Sequence, residues 1–196
     1  MKRRMLLSIL TPLCVGCICV GCLGVSAQSE ENQTLKSIYA RTSVRAYTSQ
    51  PVEKELLVEL TKVAMAAPSA MNRQPWEFVI IQDRSILDKI GEIKPPVGKA
   101  PAAIVVLGNT EVSGSWVLDC SAATENILLA ATSMGLGTVW TGAHGNTKFE
   151  EMLKETLSLP EGVMPLSVIA VGYADGTPTP KNKYDAKKVY FDKYGN

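Results

Sequence analysis

Two guanidiniums flank two hydroxyls in Arg41-Thr42-Ser43-Val44-Arg45. A guanidinium presents a planar fork of donors that suits phosphate, and hydroxyls add short hydrogen bonds. Taken alone, the segment also has the composition of a solvated, charged turn. A second group lies in Ala67-Pro68-Ser69-Ala70-Met71-Asn72-Arg73-Gln74-Pro75-Trp76. Asn72 and Gln74 each offer amide donors and a carbonyl acceptor, as the edge of a heterocycle requires. The plainer reading is a proline-stiffened loop with Trp76 in the core. A third runs from Gly135 to Gly142 and ends in Trp140-Thr141-Gly142. Glycines let backbone N–H groups approach a planar ligand, or simply cap a helix and turn the chain. Lys181 and Lys183, with Lys187 and Lys188 beyond, offer a further phosphate contact or a solvated basic tail.

Other chemistries are missing. Gly135-Leu136-Gly137 lacks a third glycine and follows a helical pattern, which argues against a dinucleotide-binding turn. There is no P-loop and no Gly-x-Ser-x-Gly elbow. A thiol or serine enzyme would have to use His144, the single histidine. Cys120 lies in a helical stretch beside Ala122 and Ala123, the setting of an inert buried thiol. No metal-ligand cluster stands out. With so few nucleophiles, enzymatic chemistry here calls for a borrowed cofactor.

The elements that position these groups are legible in outline. Thr34–Ala40 is a short helix candidate. Ser49 and Pro51 suit the start of a longer one, with Leu56, Leu57, Leu60, Val63, Ala64 and Ala67 on one face and Pro68 ending it. Strands are expected at Trp76–Gln82, Ala102–Leu107, Gly137–Gly142 and Leu166–Gly172, and helices at Arg84–Ile93, Ser115–Met134 and Thr147–Leu157. Ile127-Leu128-Leu129-Ala130-Ala131 is apolar nearly all round, so its helix is central or at a subunit interface. Helices alternating with apolar strands predict a sheet covered by helices. The tail from Asp175 onward is rich in Gly, Pro and Lys, yet carries an adhesive Val189-Tyr190-Phe191.

The chain has 196 residues and net charge +1, which suits one domain and gives no electrostatic case for nucleic acid. Its start reads as an address. Lys2, Arg3 and Arg4 precede an uncharged, mostly apolar run, and Val25-Ser26-Ala27 resembles a cleavage site. Residues 1–27 are therefore expected to be a signal peptide of an exported, periplasmic protein. A membrane anchor or a lipid-modified Cys17 or Cys22 are the alternatives. Without the leader, 17 Lys+Arg face 19 Asp+Glu, a net charge of −2, and Cys120 is the single cysteine left. Residues 28–196 are then expected to form one domain with an extended tail and no membrane span.

In this order and spacing the segments resemble the FMN-dependent nitroreductase family. The resemblance rests on Arg41-Thr42-Ser43-Val44-Arg45-Ala46-Tyr47, on Ala67-Pro68-Ser69 through Asn72, and on Gln74-Pro75-Trp76-Glu77-Phe78. Glu125-Asn126-Ile127-Leu128-Leu129-Ala130-Ala131 and Gly135-Leu136-Gly137-Thr138-Val139-Trp140-Thr141-Gly142 continue it. It implies an α+β fold of three layers, a helix-flanked mixed sheet, and a homodimer with FMN at the interface. By position, Arg41, Ser43 and Arg45, with Thr42 beside them, would hold the phosphate, ribityl chain and pyrimidine edge. Pro68, Ser69 and Asn72 would come from the other subunit. Trp140, Thr141 and Gly142 would lie against the flavin, and Lys181 and Lys183 would add the late phosphate contact. The implied activity is an NAD(P)H-linked oxidoreductase that moves hydride through flavin N5 to a nitroaromatic or quinone. A flavin-dependent dehydrogenase, a dehalogenase, or an exported flavin-binding protein without turnover are the other readings. The long insertions that some members place over the substrate are absent.

Overall fold

A computed structural model describes residues 25–195. Residues 1–24 of the expected leader lie outside the described residues, and 25–27 belong to a helix. A boundary after Thr34 separates an N-terminal unit from the body, residues 35–196. The elements in order are α1 (Val25–Ala40), α2 (Lys54–Ala64), β1 (Trp76–Ile81), α3 (Arg84–Gly91), α4 (Pro95–Gly98), β2 (Ala102–Asn109), α5 (Trp116–Ser133), β3 (Gly137–Gly142), α6 (Thr147–Leu157) and β4 (Val163–Gly172). Single 3-10 turns lie at Ala70–Asn72 and Ala186–Lys188.

The four strands pair antiparallel in the order β1-β2-β4-β3. The parallel contact is a lone bridge from Ser43 to Thr138. The two central strands read Ala-Ala-Ile-Val-Val-Leu and Ser-Val-Ile-Ala-Val because both of their faces are covered. Period-two alternation divides them. Ala102, Ile104 and Val106 pack with Leu57, Leu60 and Ala64 of α2 and Ala123, Ile127 and Ala131 of α5. Ala103, Val105 and Leu107 pack on the opposite side with Leu87 and Ile90 of α3, Val97 of α4, and Phe149 and Leu153 of α6. The result is helix, sheet, helix. Each fully buried leucine or isoleucine contributes about 1.5–3 kcal/mol of transfer free energy.

Several boundaries differ from the sequence expectation for tertiary reasons. Ser49 does not cap α2. The chain stays extended so that Val52 is buried and its carbonyl accepts from Gln82 Nε2 at 2.8 Å. Glu53 then becomes the residue before the first helical turn. At the other end, α2 stops at Ala64, and its last carbonyls are met by short-range bonds from Met65, Ala66 and Ala67. The register between β2 and β4 shifts at Val106/Leu107. Pro165, which has no N–H to donate, sits at that bulge. After α5, Gly135 takes φ +75°, and Leu136 N–H reaches back to the Ala131 carbonyl at 2.8 Å. That turn delivers the chain directly into β3. Among the described residues no helix is long and apolar enough to cross a membrane.

Candidate functional site

The segment after α1 returns to the sheet at β3. Val44 N–H donates to the Thr138 carbonyl at 2.8 Å, on the side of β3 away from β4. Gly137 permits this approach, because a Cβ there would stand 2.9 Å from the Val44 side chain. Tyr47 Oη donates to the Val44 carbonyl at 2.6 Å and closes the turn. Burial pushes the Tyr47 phenol well above its ordinary range, so it remains a donor. Next, Asp175 N–H donates to the Ala46 carbonyl at 3.0 Å and Thr48 N–H to that of Tyr173 at 2.9 Å. This pairing lays the start of the tail against the arginine segment.

The two segments enclose a cavity of about 540 Å³. Arg41, Thr42, Ser43 and Arg45 line one side, and Asp175, Lys181 and Lys183 contribute to the other. Four cations against one carboxylate, with hydroxyls among them, form an anion site. Arg41 is held from behind, with its Nε 3.6 Å from Glu125 Oε1 of α5. The sequence-predicted arginine segment and lysine pair are thus brought together.

β3 is an edge strand of the sheet, and the arginine segment meets it at Thr138. In a strand, the N–H and C=O of one residue point to the same side. Thr138 directs its carbonyl outward to Val44, so Trp140 and Gly142 present their backbone groups along the same open edge. Both are exposed, whereas Thr141 is buried and its hydroxyl donates to the Val168 carbonyl at 2.7 Å. Thr141, whose backbone faces β4, therefore offers a ligand at the open edge neither its hydroxyl nor its backbone groups, unlike the sequence expectation.

Pro68, Ser69 and Asn72 lie outside the cavity, on the connection from α2 to β1. This loop is strained. Met71, Asn72 and Gln74 take φ of +53°, +55° and +50°. Such conformations cost about 1–3 kcal/mol each and are retained where surrounding structure imposes them. Ser69 Oγ accepts from Gln74 N–H at 3.0 Å, and Gln74 Nε2 donates to Asn72 Oδ1 at 2.9 Å. Asp119 of α5, 5% exposed, accepts from Ala70 N–H at 2.8 Å. The sequence reading missed Asp119. Its signal was a carboxylate on the buried stripe of an apolar helix, next to Cys120 and four residues before Ala123.

Cys120 and His144 form no visible catalytic pair. The Cys120 thiol donates to the Leu107 carbonyl at 3.3 Å, while His144 Nδ1 lies 3.0 Å from Glu150 Oε1, with the ring against Trp116. Burial, and then the charge of Asp119, push the Cys120 thiol from its ordinary 9.0 up to about 12. It is expected to resist alkylation in the native protein at pH 8 and to react on denaturation, as a thiol titration would read. The unfolded chain releases this proton first, so Cys120 makes stability fall between about pH 9 and 12. Denaturant melts across that range measure the slope. Among the described residues no group of three or more His, Cys, Asp or Glu side chains converges on a metal-sized site.

A three-layer α+β body with a cationic cavity, one wall of which is bridged to an edge strand, is the architecture of a small-molecule-binding protein. The chain belongs to the nitroreductase family, whose model matches residues 38–94 and 93–173. It is 36% identical over 176 residues to a Methanothermobacter thermautotrophicus protein, covering 87% of this chain and 92% of that one. That protein is named "Putative NADH dehydrogenase/NAD(P)H nitroreductase". A crystal structure of the same name from Parabacteroides distasonis superposes with TM-score 0.81 at 46% identity, over 83% of this chain and 99% of that one. An FMN-dependent nitroreductase from Clostridium difficile superposes with TM-score 0.78 at 29% identity, over 82% and 99%.

Proposed function

We propose that this protein is an FMN-dependent oxidoreductase that carries hydride from a reduced nicotinamide to a small acceptor such as a nitroaromatic or a quinone. The observation that carries the reading is the cationic cavity whose arginine segment is bridged to the edge strand β3. A phosphate-bearing, planar heterocycle needs both halves of that arrangement. FMN, when bound, supplies hydride transfer at its N5. Arg41, Arg45, Lys181 and Lys183 would neutralise its phosphate, with Ser43 and Thr42 adding hydroxyl bonds. The outward backbone groups of Trp140 and Gly142 would meet the heteroatoms of the ring, and Trp140 would shield its face. No side chain is required as a nucleophile.

Pro68, Ser69 and Asn72 complete the site from a second copy of the chain in this reading. Met71 is 84% exposed in the single chain, and Leu118, Tyr39 and Phe191 are 73%, 75% and 77% exposed. Apolar side chains presented to this extent support a homodimer. The basic start, apolar run and Val25-Ser26-Ala27 support export to the periplasm, with lipid anchoring as the alternative. In that compartment a quinol or a partner protein would replace the nicotinamide as donor. Fractionation with N-terminal sequencing tests the location, and sedimentation the dimer.

The purified protein is expected to be yellow, with one FMN per chain. NADH or NADPH should bleach it anaerobically, and a nitro compound should restore the colour. A colourless protein that takes up no added FMN would sink the proposal. Flavin that binds but is reduced by no donor would instead mark a carrier.

A further inference from the structure

Asp119 is a carboxylate without a place in the proposed chemistry. It is nearly sealed from solvent, and both of its oxygens are used. Oδ1 accepts from Ala70 N–H at 2.8 Å, and Oδ2 accepts from the Ser113 hydroxyl at 3.0 Å. Ser113, 2% exposed, accepts in turn from Ser115 N–H at 3.1 Å. The carboxylate is thereby fixed in the first turn of α5. It meets a loop whose backbone is held in three left-handed conformations and whose polar side chains face outward. A loop of that kind drifts unless something outside it fixes its position. Within the loop, Asn72 N–H donates to the Ser69 carbonyl and Arg73 N–H to that of Ala70. These bonds make one rigid knuckle of Ser69–Gln74. Asp119 pins that knuckle at Ala70, between Ser69 and Asn72.

We propose that Asp119 is a positioning residue: its hydrogen bond to Ala70 N–H sets the presentation of Ser69 and Asn72 to the cofactor. This rests on reading that loop as part of the flavin site. A charged acceptor holding a backbone N–H is a strong hydrogen bond, and its buried setting keeps water from replacing it. The effect is geometric, so an acceptor at Oδ1 suffices, and the charge itself need not remain.

The test uses Asp119→Ala, Asp119→Asn and Asn72→Ala in the full-length protein, with FMN dissociation constants and amide hydrogen exchange at Ala70. Asp119→Ala is expected to weaken FMN by about tenfold or more and to speed exchange at Ala70. Asp119→Asn keeps an acceptor and should stay within about threefold of wild type. In a double-mutant cycle, Asp119→Ala should cost clearly less in the Asn72→Ala background than in wild type, because part of its effect acts through Asn72. A merely structural role predicts independent, multiplying losses and no rescue by asparagine. Either of those results overturns the proposal, as does unchanged FMN affinity despite faster exchange at Ala70. If Asp119→Ala fails to fold, Asp119→Ser, whose shorter hydroxyl cannot reach Ala70 N–H, should still speed Ala70 exchange, and unchanged exchange refutes the anchor. A wild type that binds no FMN defeats the functional reading, while exchange at Ala70 in the flavin-free protein still decides whether Asp119 holds the loop.

Discussion

Replacing Arg41 by glutamate is expected to abolish FMN retention, weakening the complex by about 10²- to 10⁴-fold. A charge-assisted hydrogen bond to phosphate contributes about 1.5–3 kcal/mol, and reversal adds repulsion from a dianion at the same place. Every 1.4 kcal/mol is about tenfold in affinity. The Arg41 side chain is 19% exposed, so water and salt screen it poorly. Glutamate there would also face Glu125, whose Oε1 lies 3.6 Å from the arginine Nε. Part of the loss would then come from that new repulsion. Adding Glu125→Gln removes the repulsion without restoring a cation. If FMN is still lost in the double variant, the missing contact is the one to phosphate. Equilibrium titration of flavin fluorescence measures both variants. Arg41→Glu with affinity within about threefold of wild type would dismantle the assignment of this cavity to FMN.

Arg41–Arg45 could be singled out because its guanidiniums and hydroxyls are adjacent in sequence, but alone it reads equally as a solvated turn, and the other segments were needed to separate the two. Strand β2 was legible because burial on both faces writes an unbroken apolar run, and α6 because its apolar stripe keeps the helical period. Gly135 announced the end of α5 because no residue with a Cβ takes φ +75° as cheaply. What escaped was set by partners distant in sequence. α2 begins at Lys54 because Gln82 captures the Val52 carbonyl, thirty positions away. α4 is four residues opened by two prolines, too short for any period to show. The lysine pair was assigned to the site only through the resemblance, since by composition it reads as a solvated tail and its place in the cavity depends on Tyr47 meeting Ala174 across a bridge. Asp119 escaped most completely, since its partner Ala70 is forty-nine positions away and donates through the backbone, which no side-chain pattern records.

Gly137→Val should separate the stability of the sheet from the competence of the site. A Cβ at this position would stand 2.9 Å from Cβ, Cγ1 and Cγ2 of Val44, and valine adds two methyls to the clash. Overpacking of this kind costs about 1–3 kcal/mol. The strain has an easy outlet. β3 is secured to β4 by a six-pair ladder, whereas the arginine segment meets β3 through one bridge. The segment should therefore yield while the strand stays, stretching the 2.8 Å bond from Val44 N–H to the Thr138 carbonyl. Ser43 and Arg45 flank Val44, so both would leave their positions in the cavity together. FMN affinity is expected to fall about tenfold or more through misplaced contacts, with circular dichroism unchanged and the melting temperature lowered by several degrees. Gly137→Ala should do the same to a smaller degree, and Val44→Ala added to it should recover both quantities by making room. If Gly137→Val lowers the melting temperature but binds FMN as wild type does, the strand does not place the arginine segment. The cavity would then owe its shape to the tail alone.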